Sequence, residues 1–186
     1  LGLFDEKMQS IVVVGASHAG ISFIDHIRKN GFGGRIALVD RQKGGPMERP
    51  PLSKQFLLET EDKLDPIFLL KRAKWYKDND ITLKLGVEAQ EINIDTNSLA
   101  LSSGDNLTFD KMVLATGARP RFLPGCDNLI NAFVLRQPDD AIAIRETARK
   151  VKSAVIIGGG YIGLEVAASF RQMGLEVSVI EAAERL

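Results

Sequence analysis

The chain has 186 residues, 45% hydrophobic and 26% charged, and its basic and acidic side chains balance to a formal net charge of zero. That is the composition of a soluble globular protein with apolar material for one sizeable core or two small ones, and it offers no nucleic-acid or anionic-membrane surface. Apolar runs too short to span a bilayer exclude a transmembrane segment; one cysteine, Cys126, and two histidines exclude a disulfide framework and a Cys- or His-rich metal centre.

The opening LGLFDEKMQS has neither the basic start nor the long apolar stretch of a signal peptide, so the cytoplasm is the expected compartment. It does not begin with Met, which leads us to expect a processed chain or a fragment. Residues 10–14 are apolar after the serine and predict a parallel strand buried on both faces. Residues 19–30 predict a helix with an apolar stripe of Ile21, Ile24 and Ile27, and Gly31 fits just past its end. Residues 35–40 predict a second strand, completing a β-α-β unit of nucleotide-binding length.

Residues 44–80 depart from that grammar. A proline-rich turn is followed by charge-mixed helical stretches and by Trp75 and Tyr76, which read as helix packing rather than an electron relay. Strands are predicted over 81–85, 89–94, 98–101 and 111–114, with a turn at SSGDN, a loop over ATGARPRFLPG and a helix over 139–150. The segment SAVIIGGGYIGLEVAASFRQMGLEVSVIEAAERL then repeats the opening order of strand, glycine turn, helix, strand and acid. Two such units in one chain predict two nucleotide sites.

The second turn carries Gly158, Gly160 and Gly163, the full dinucleotide fingerprint. The first glycine permits the tight turn, the second lets the backbone approach a diphosphate, and the third allows close helix–strand packing. The helix N-terminus adds free N–H groups and partial positive charge. Glu181 closes the following strand, where a carboxylate bonds ribose hydroxyls and disfavours a 2′-phosphate; this reads as NADH rather than NADPH. In the first turn Gly15 and Gly20 fit and Ser17 replaces the middle glycine, small enough to keep phosphate approach; Asp40 closes its second strand. The economical pairing is a bound flavin dinucleotide with a diffusing nicotinamide. His18 follows the first turn, near phosphate but not as a general base, since hydride transfer between rings needs none; Cys126 reads as an inert thiol.

On GASHAG, ERPPLSKQFL, FDKMVLATGARPR, LRQPDDA and IIGGGYIGLEVA, which span nearly the whole chain, the sequence resembles the FAD- and NAD-dependent pyridine nucleotide–disulfide oxidoreductase superfamily. Within it, the sequence is similar to the ferredoxin reductase-like group. Disulfide reductases of the superfamily carry a redox cysteine pair after the second strand; here GGPMERPPLSK has none, and the group shares that lack.

The resemblance implies an α/β fold of Rossmann-like three-layer domains with parallel sheets. Residues 1–118 would form the first segment of an FAD-binding domain, and 119–186 a linker and the start of an inserted, truncated NAD-binding domain. It implies that NADH delivers hydride to FAD and that electrons pass to an iron–sulfur protein such as a ferredoxin or rubredoxin. Lys54 would approach the flavin ring and stabilise its anionic reduced form; Glu165 would lie beside the rings and pair with Lys54. Arg49, Ala19 in the phosphate turn, and Asp40 or Arg41 at the adenosine end are expected to hold FAD, with the backbone of Ala89 facing adenine. Ala115, Thr116 and Gly117 would close over the FAD site, Arg136 would approach the flavin, and Ile162 falls among the nucleotide-binding residues of the second turn. Proline stiffness in the Pro50–Pro51 loop and helix capping by Ser53 complete the expectation. An incomplete second domain would expose apolar surface and a sheet edge that invites association, a homodimer included. Two other readings stay open: a non-catalytic nucleotide-binding protein or truncated fragment, and the flavin module of a nitrite reductase or NADH oxidase.

Overall fold

The computed structural model describes residues 9–59, 68–126 and 128–184. The run 1–8 read against a signal peptide, and part of the charge-mixed helical stretch at 60–67, lie outside the described residues. The chain divides into two units, Leu1–Glu48 with Asp65–Ala118, and Arg49–Leu64 with Arg119–Leu186.

The first unit is built on a four-stranded parallel sheet, β3 (Ile81–Leu85), β2 (Arg35–Asp40), β1 (Ser10–Val14) and β7 (Lys111–Leu114) in that order. The alternating directions of strand side chains divide β1 between two cores. Ile11 and Val13 pack with Ile21, Ile24 and Ile27 of α1 (His18–Lys29) and Tyr76 of α3 (Ala73–Asp78). Val12 and Val14 pack with Leu99 and Leu101 of β5 (Ser98–Leu101), the middle strand of an antiparallel sheet with β4 (Ala89–Asn93) and β6 (Asn106–Thr108). Helices, parallel sheet and antiparallel sheet form three layers, and β1 is buried on both faces as expected. The turn at SSGDN is present, but β6 beyond it was not expected. Only Leu107 of its three residues is apolar, too short a run to signal a strand; Leu107 and Phe109 nonetheless pack on the second core.

Helix α1 ends as its sequence dictates. Gly31 takes the left-handed conformation (φ +88), its N–H bonds Arg28 O, and the N–H of Phe32 bonds Ile27 O. This double closure satisfies the last carbonyls and needs a residue that tolerates positive φ. Arg28 extends it, donating from Nη1 to Phe32 O (2.6 Å) and Gly34 O (2.7 Å) and from Nε to Asn79 O (2.9 Å).

Trp75 and Tyr76 meet edge to face at 5.1 Å between centroids and pack on the first core, as helix packing requires. The Tyr76 hydroxyl is buried with no hydrogen-bond partner among the described residues, and burial pushes its pKa up to about 12. A buried hydroxyl without a partner costs desolvation and returns nothing. Tyr76→Phe is therefore expected to raise stability by about 1 kcal/mol, read as a higher urea midpoint at unchanged slope; a lower midpoint contradicts the assignment.

In the second unit, β8 (Ser153–Ile157) and β9 (Glu176–Ile180) form a parallel pair joined by α5 (Tyr161–Gln172). Helix α4 (Pro138–Ala148) precedes them; a 3₁₀ turn, Pro50–Ser53, and the short α2 (Gln55–Leu58) pack in the same unit. Arg145 of α4 is buried and donates from Nη1 to Phe56 O (3.2 Å). These ties bring the described part of the returning segment to α4 and α5, whereas reading in chain order leaves it with residues 1–118. Val155, Ile157 and Ile180 on the strand pair are more than half exposed, at 59%, 59% and 56%. The described second unit thus presents the apolar surface expected of it. No helix among the described residues is long and apolar enough to cross a membrane.

Candidate dinucleotide turns and a basic cavity

The two glycine turns are alike atom by atom. In the first, Gly15 (φ +112) donates its N–H to Val39 O at 2.8 Å, and Ala16 N–H donates to Asp40 Oδ2 at 2.6 Å. In the second, Gly158 (φ +104) donates to Ile180 O at 2.8 Å, and Gly159 N–H to Glu181 Oε2 at 2.7 Å. A Cβ on Gly20 would stand 2.1 Å from Gly15 O, and one on Gly163 would stand 2.1 Å from Gly158 O, so helix and turn touch backbone to backbone in both. The likeness continues to the helix ends. Gly174 (φ +90) and Leu175 close α5 on Arg171 O and Phe170 O, and Arg171 Nη1 donates to Leu175 O, as Arg28 does to Phe32 O.

Each strand-end acid therefore braces its own turn. Asp40 also accepts from Gln42 N–H (2.8 Å), and Glu181 from Ala183 N–H (2.9 Å). The N–H groups of Ala183 and Gly159 hold the Glu181 carboxyl below its ordinary range. Arg41 is exposed beside Asp40. The Gly86 and Val87 N–H groups bond Gln42 O and Asp40 O, which brings the approach to Ala89 to the same strand end.

The turns differ in what surrounds them. A Cβ on Gly15 would stand 2.2 Å from Ala115 O, and Ala115 N–H bonds Val14 O, so the loop of Ala115, Thr116 and Gly117 lies against the first turn. Thr116 and Gly117 are exposed. Ser17 caps α1 in extended conformation, with exposed His18 and Ala19 in its first turn. Gly160 caps α5 at φ −71 and ψ 175, and a Cβ there would meet nothing within 4 Å. That backbone geometry suits any residue, so packing among the described residues does not demand a glycine at 160. The open space is a cradle suited to a diphosphate approaching free N–H groups. No side-chain hydrogen bond caps either helix.

The second unit also holds a cavity of about 280 Å³ lined by Arg49, Lys54, Leu135, Arg136, Ile162 and Glu165 among others. Five of these were expected in a site from sequence. Among the described lining residues three are cations and one is a carboxylate, a balance that favours an electron-rich or anionic occupant. Lys54 Nζ pairs with Glu165 Oε1 at 2.8 Å, and Ser53 Oγ donates to Glu165 Oε2 at 2.5 Å. These two donors, Lys54 first, hold the Glu165 carboxyl below its ordinary value of 4.5. Its share of stability is complete above that value and is lost as pH falls below it through the lowered folded-state value. The stability difference between wild type and Glu165→Gln should thus be largest at neutral pH and shrink in acid. A gap constant across an acid series of denaturant midpoints contradicts this.

Ser53 corrects an expectation. It does not cap α2: it ends the 3₁₀ turn, and Lys54 occupies the cap position without a side-chain cap bond. Pro50 and Pro51 start helical backbone earlier than a simple cap rule allows. The Arg136 N–H instead joins a genuine helix start, bonding Asp140 Oδ2 (2.8 Å) together with Gln137 N–H (2.8 Å). Sequence reasoning also missed Tyr161, 91% exposed at the start of α5 and lining the cavity, and Ser169, whose Oγ donates to Ser53 O at 2.7 Å. Tyr161 stands beside Gly160, a signal that was open to reading; Ser169 had none.

Residues 9–186 match the sequence profile of the pyridine nucleotide-disulphide oxidoreductases. The chain is 39% identical over 178 residues to rhodocoxin reductase of Rhodococcus erythropolis, covering 95% of this chain and 41% of that protein. It is 38% identical over 182 residues to the ferredoxin–NAD(+) reductase component of the p-cumate 2,3-dioxygenase system of Pseudomonas putida, covering 97% and 44%. Its fold is similar to the reductase in a crystal structure of the covalent putidaredoxin reductase–putidaredoxin complex, with TM-score 0.86, 36% identity, and coverage of 95% and 43%. The chain spans about two-fifths of the length of the curated relatives it matches.

Proposed function

Since the chain belongs to the pyridine nucleotide-disulphide oxidoreductase family, we propose that it is the nucleotide-binding portion of an NADH-dependent flavoprotein reductase. The observation that carries this reading is the pair of matching glycine turns, each with free helix N–H groups and a strand-end acid. Similarity to a ferredoxin–NAD(+) reductase and to a reductase solved with putidaredoxin supports a small iron–sulfur protein as the electron acceptor.

The residues fit the cofactors. Gly15, Ser17, Ala19 and Gly20 would hold the diphosphate of FAD, with Asp40, Arg41 and Ala89 toward its adenosine and Ala115, Thr116 and Gly117 beside the turn. Gly158, Gly160, Ile162 and Gly163 would hold NADH. A carboxylate has about four acceptor positions; the backbone N–H groups of Gly159, Ala182 and Ala183 leave Glu181 room for a ribose hydroxyl, and its negative charge opposes a 2′-phosphate. Lys54 presents positive charge to an electron-rich ring, Arg49 and Arg136 add to that field, and Glu165 keeps Lys54 in place. When bound, FAD would supply the conversion of one two-electron hydride into two single-electron transfers. The protein contributes position and charge.

Anaerobic addition of NADH to the protein loaded with FAD tests the reading. Bleaching of the yellow absorbance, with NADH preferred over NADPH, is expected. A chain that stays colourless in excess FAD, or yellow protein that NADH does not bleach, contradicts it.

A further inference from the structure

Ser53 is buried, and its carbonyl and hydroxyl both bond one face of α5, the hydroxyl lying also 3.3 Å from Pro50 O. Its carbonyl accepts from Ser169 Oγ at 2.7 Å, and its hydroxyl donates to Glu165 Oε2 at 2.5 Å. Glu165 and Ser169 stand one helical turn apart, so they are neighbours on that face. The other oxygen of Glu165 meets Lys54 Nζ at 2.8 Å. Lys54 is the next residue after Ser53, and its backbone (φ −123, ψ −110) is neither helical nor extended. A lysine ammonium on four flexible carbons is loosely placed by itself; besides Glu165, Lys54 Nζ has a long contact of 3.5 Å to Pro50 O, and Glu165, a third exposed in its side chain, has room to swing.

We propose that Ser53 is a positioning residue for Lys54: fixed by Ser169, it anchors one oxygen of Glu165 so that the other gives the lysine charge a single place. The inference rests on the role assigned above to Lys54. Its further consequence is mechanical. Glu165 and Ser169 belong to the helix that begins at the Gly158–Gly163 turn, so the Pro50–Lys54 segment and that turn are tied together through Ser53.

The test uses the FAD-loaded protein in four forms: wild type, Ser53→Ala, Ser53→Thr and Lys54→Met. Two readouts are taken, the titration of the ¹³C-labelled Glu165 carboxyl by NMR and the stopped-flow rate of flavin reduction by NADH across pH. Ser53→Ala is expected to move the Glu165 midpoint up toward the ordinary carboxylate value. It should also slow reduction about tenfold to a hundredfold, the worth of one hydrogen bond to a charged group. Ser53→Thr, which keeps the hydroxyl, should restore both, which a purely structural role does not predict. An unmoved Glu165 midpoint in Ser53→Ala overturns the positioning claim, even where Lys54→Met slows reduction. A raised midpoint in Ser53→Ala with reduction untouched in Lys54→Met leaves the positioning intact and overturns the role of Lys54 at the ring.

Discussion

Gly20→Ala is expected to cost the first unit about 3 kcal/mol or more, a large share of the 5–15 kcal/mol that holds a typical domain together. The new Cβ would stand 2.1 Å from Gly15 O and 3.3 Å from Val13 Cγ1. The first contact is backbone against backbone, so no side chain can rotate away. Relief requires α1 to lift from β1, which opens the core of Ile11, Val13, Ile21 and Ile24 and breaks the turn braced by Asp40. Gly33→Ala is the control. Its Cβ meets nothing within 4 Å, and loss of glycine freedom in the unfolded chain makes it neutral or slightly stabilising. Urea denaturation of the two variants beside wild type separates them. Equal midpoints for Gly20→Ala and wild type contradict the close packing on which the first turn depends.

Gly160→Asp is expected to separate stability from binding. Gly160 caps α5 in extended geometry with open space around it. Asp is among the favoured caps and its charge suits a helix N-terminus, so stability should hold or rise by about 0.5–1 kcal/mol. The same carboxylate would occupy the space assigned to a diphosphate. Two like charges about 4 Å apart repel by about 4 kcal/mol at an effective dielectric of 20, so affinity for NAD⁺ should fall at least about 100-fold. Calorimetric titration with NAD⁺ beside a thermal melt reads both effects. Unchanged affinity in a folded variant removes the second turn from nucleotide binding. Gly163→Ala, whose Cβ would stand 2.1 Å from Gly158 O, should fail by the opposite route, through loss of the fold.

The parts legible in the sequence were those set by local rules. Positive φ at Gly15, Gly31 and Gly158, the strand runs of β1 and β2, and the stripe of α1 each follow from a few neighbouring residues. Helix α1 begins at His18 and ends at Lys29, a residue before the expected range at each end, because Ser17 and Asn30 take the caps. The pairing of Lys54 with Glu165 was legible through resemblance, and the distance of 2.8 Å bears it out. What stayed hidden depends on partners far along the chain. Ser53 read as a local cap because a serine before a short helix usually is one; beside a local contact to Pro50 O, it bonds Glu165 and Ser169, more than a hundred residues away. The return of the segment from Arg49 to the second unit rests on such ties as Arg145 to Phe56 O. Strand β6 is visible only once Leu107 has a core to enter. That Asp40 and Glu181 brace their own turns was equally out of reach, since the pattern that marks a ribose ligand is the same pattern that places a carboxylate under the glycine N–H groups.

On the proposed function, each glycine turn of this chain receives the diphosphate of its own dinucleotide. Backbone amide NMR of the uniformly ¹⁵N-labelled protein, titrated with FAD and separately with NAD⁺, tests it most directly. FAD is expected to shift the amides of Ala16–Gly20 and NAD⁺ those of Gly159–Gly163, each saturably. Shifts confined to one turn with both ligands, or absent from both turns while the protein remains folded, would contradict it.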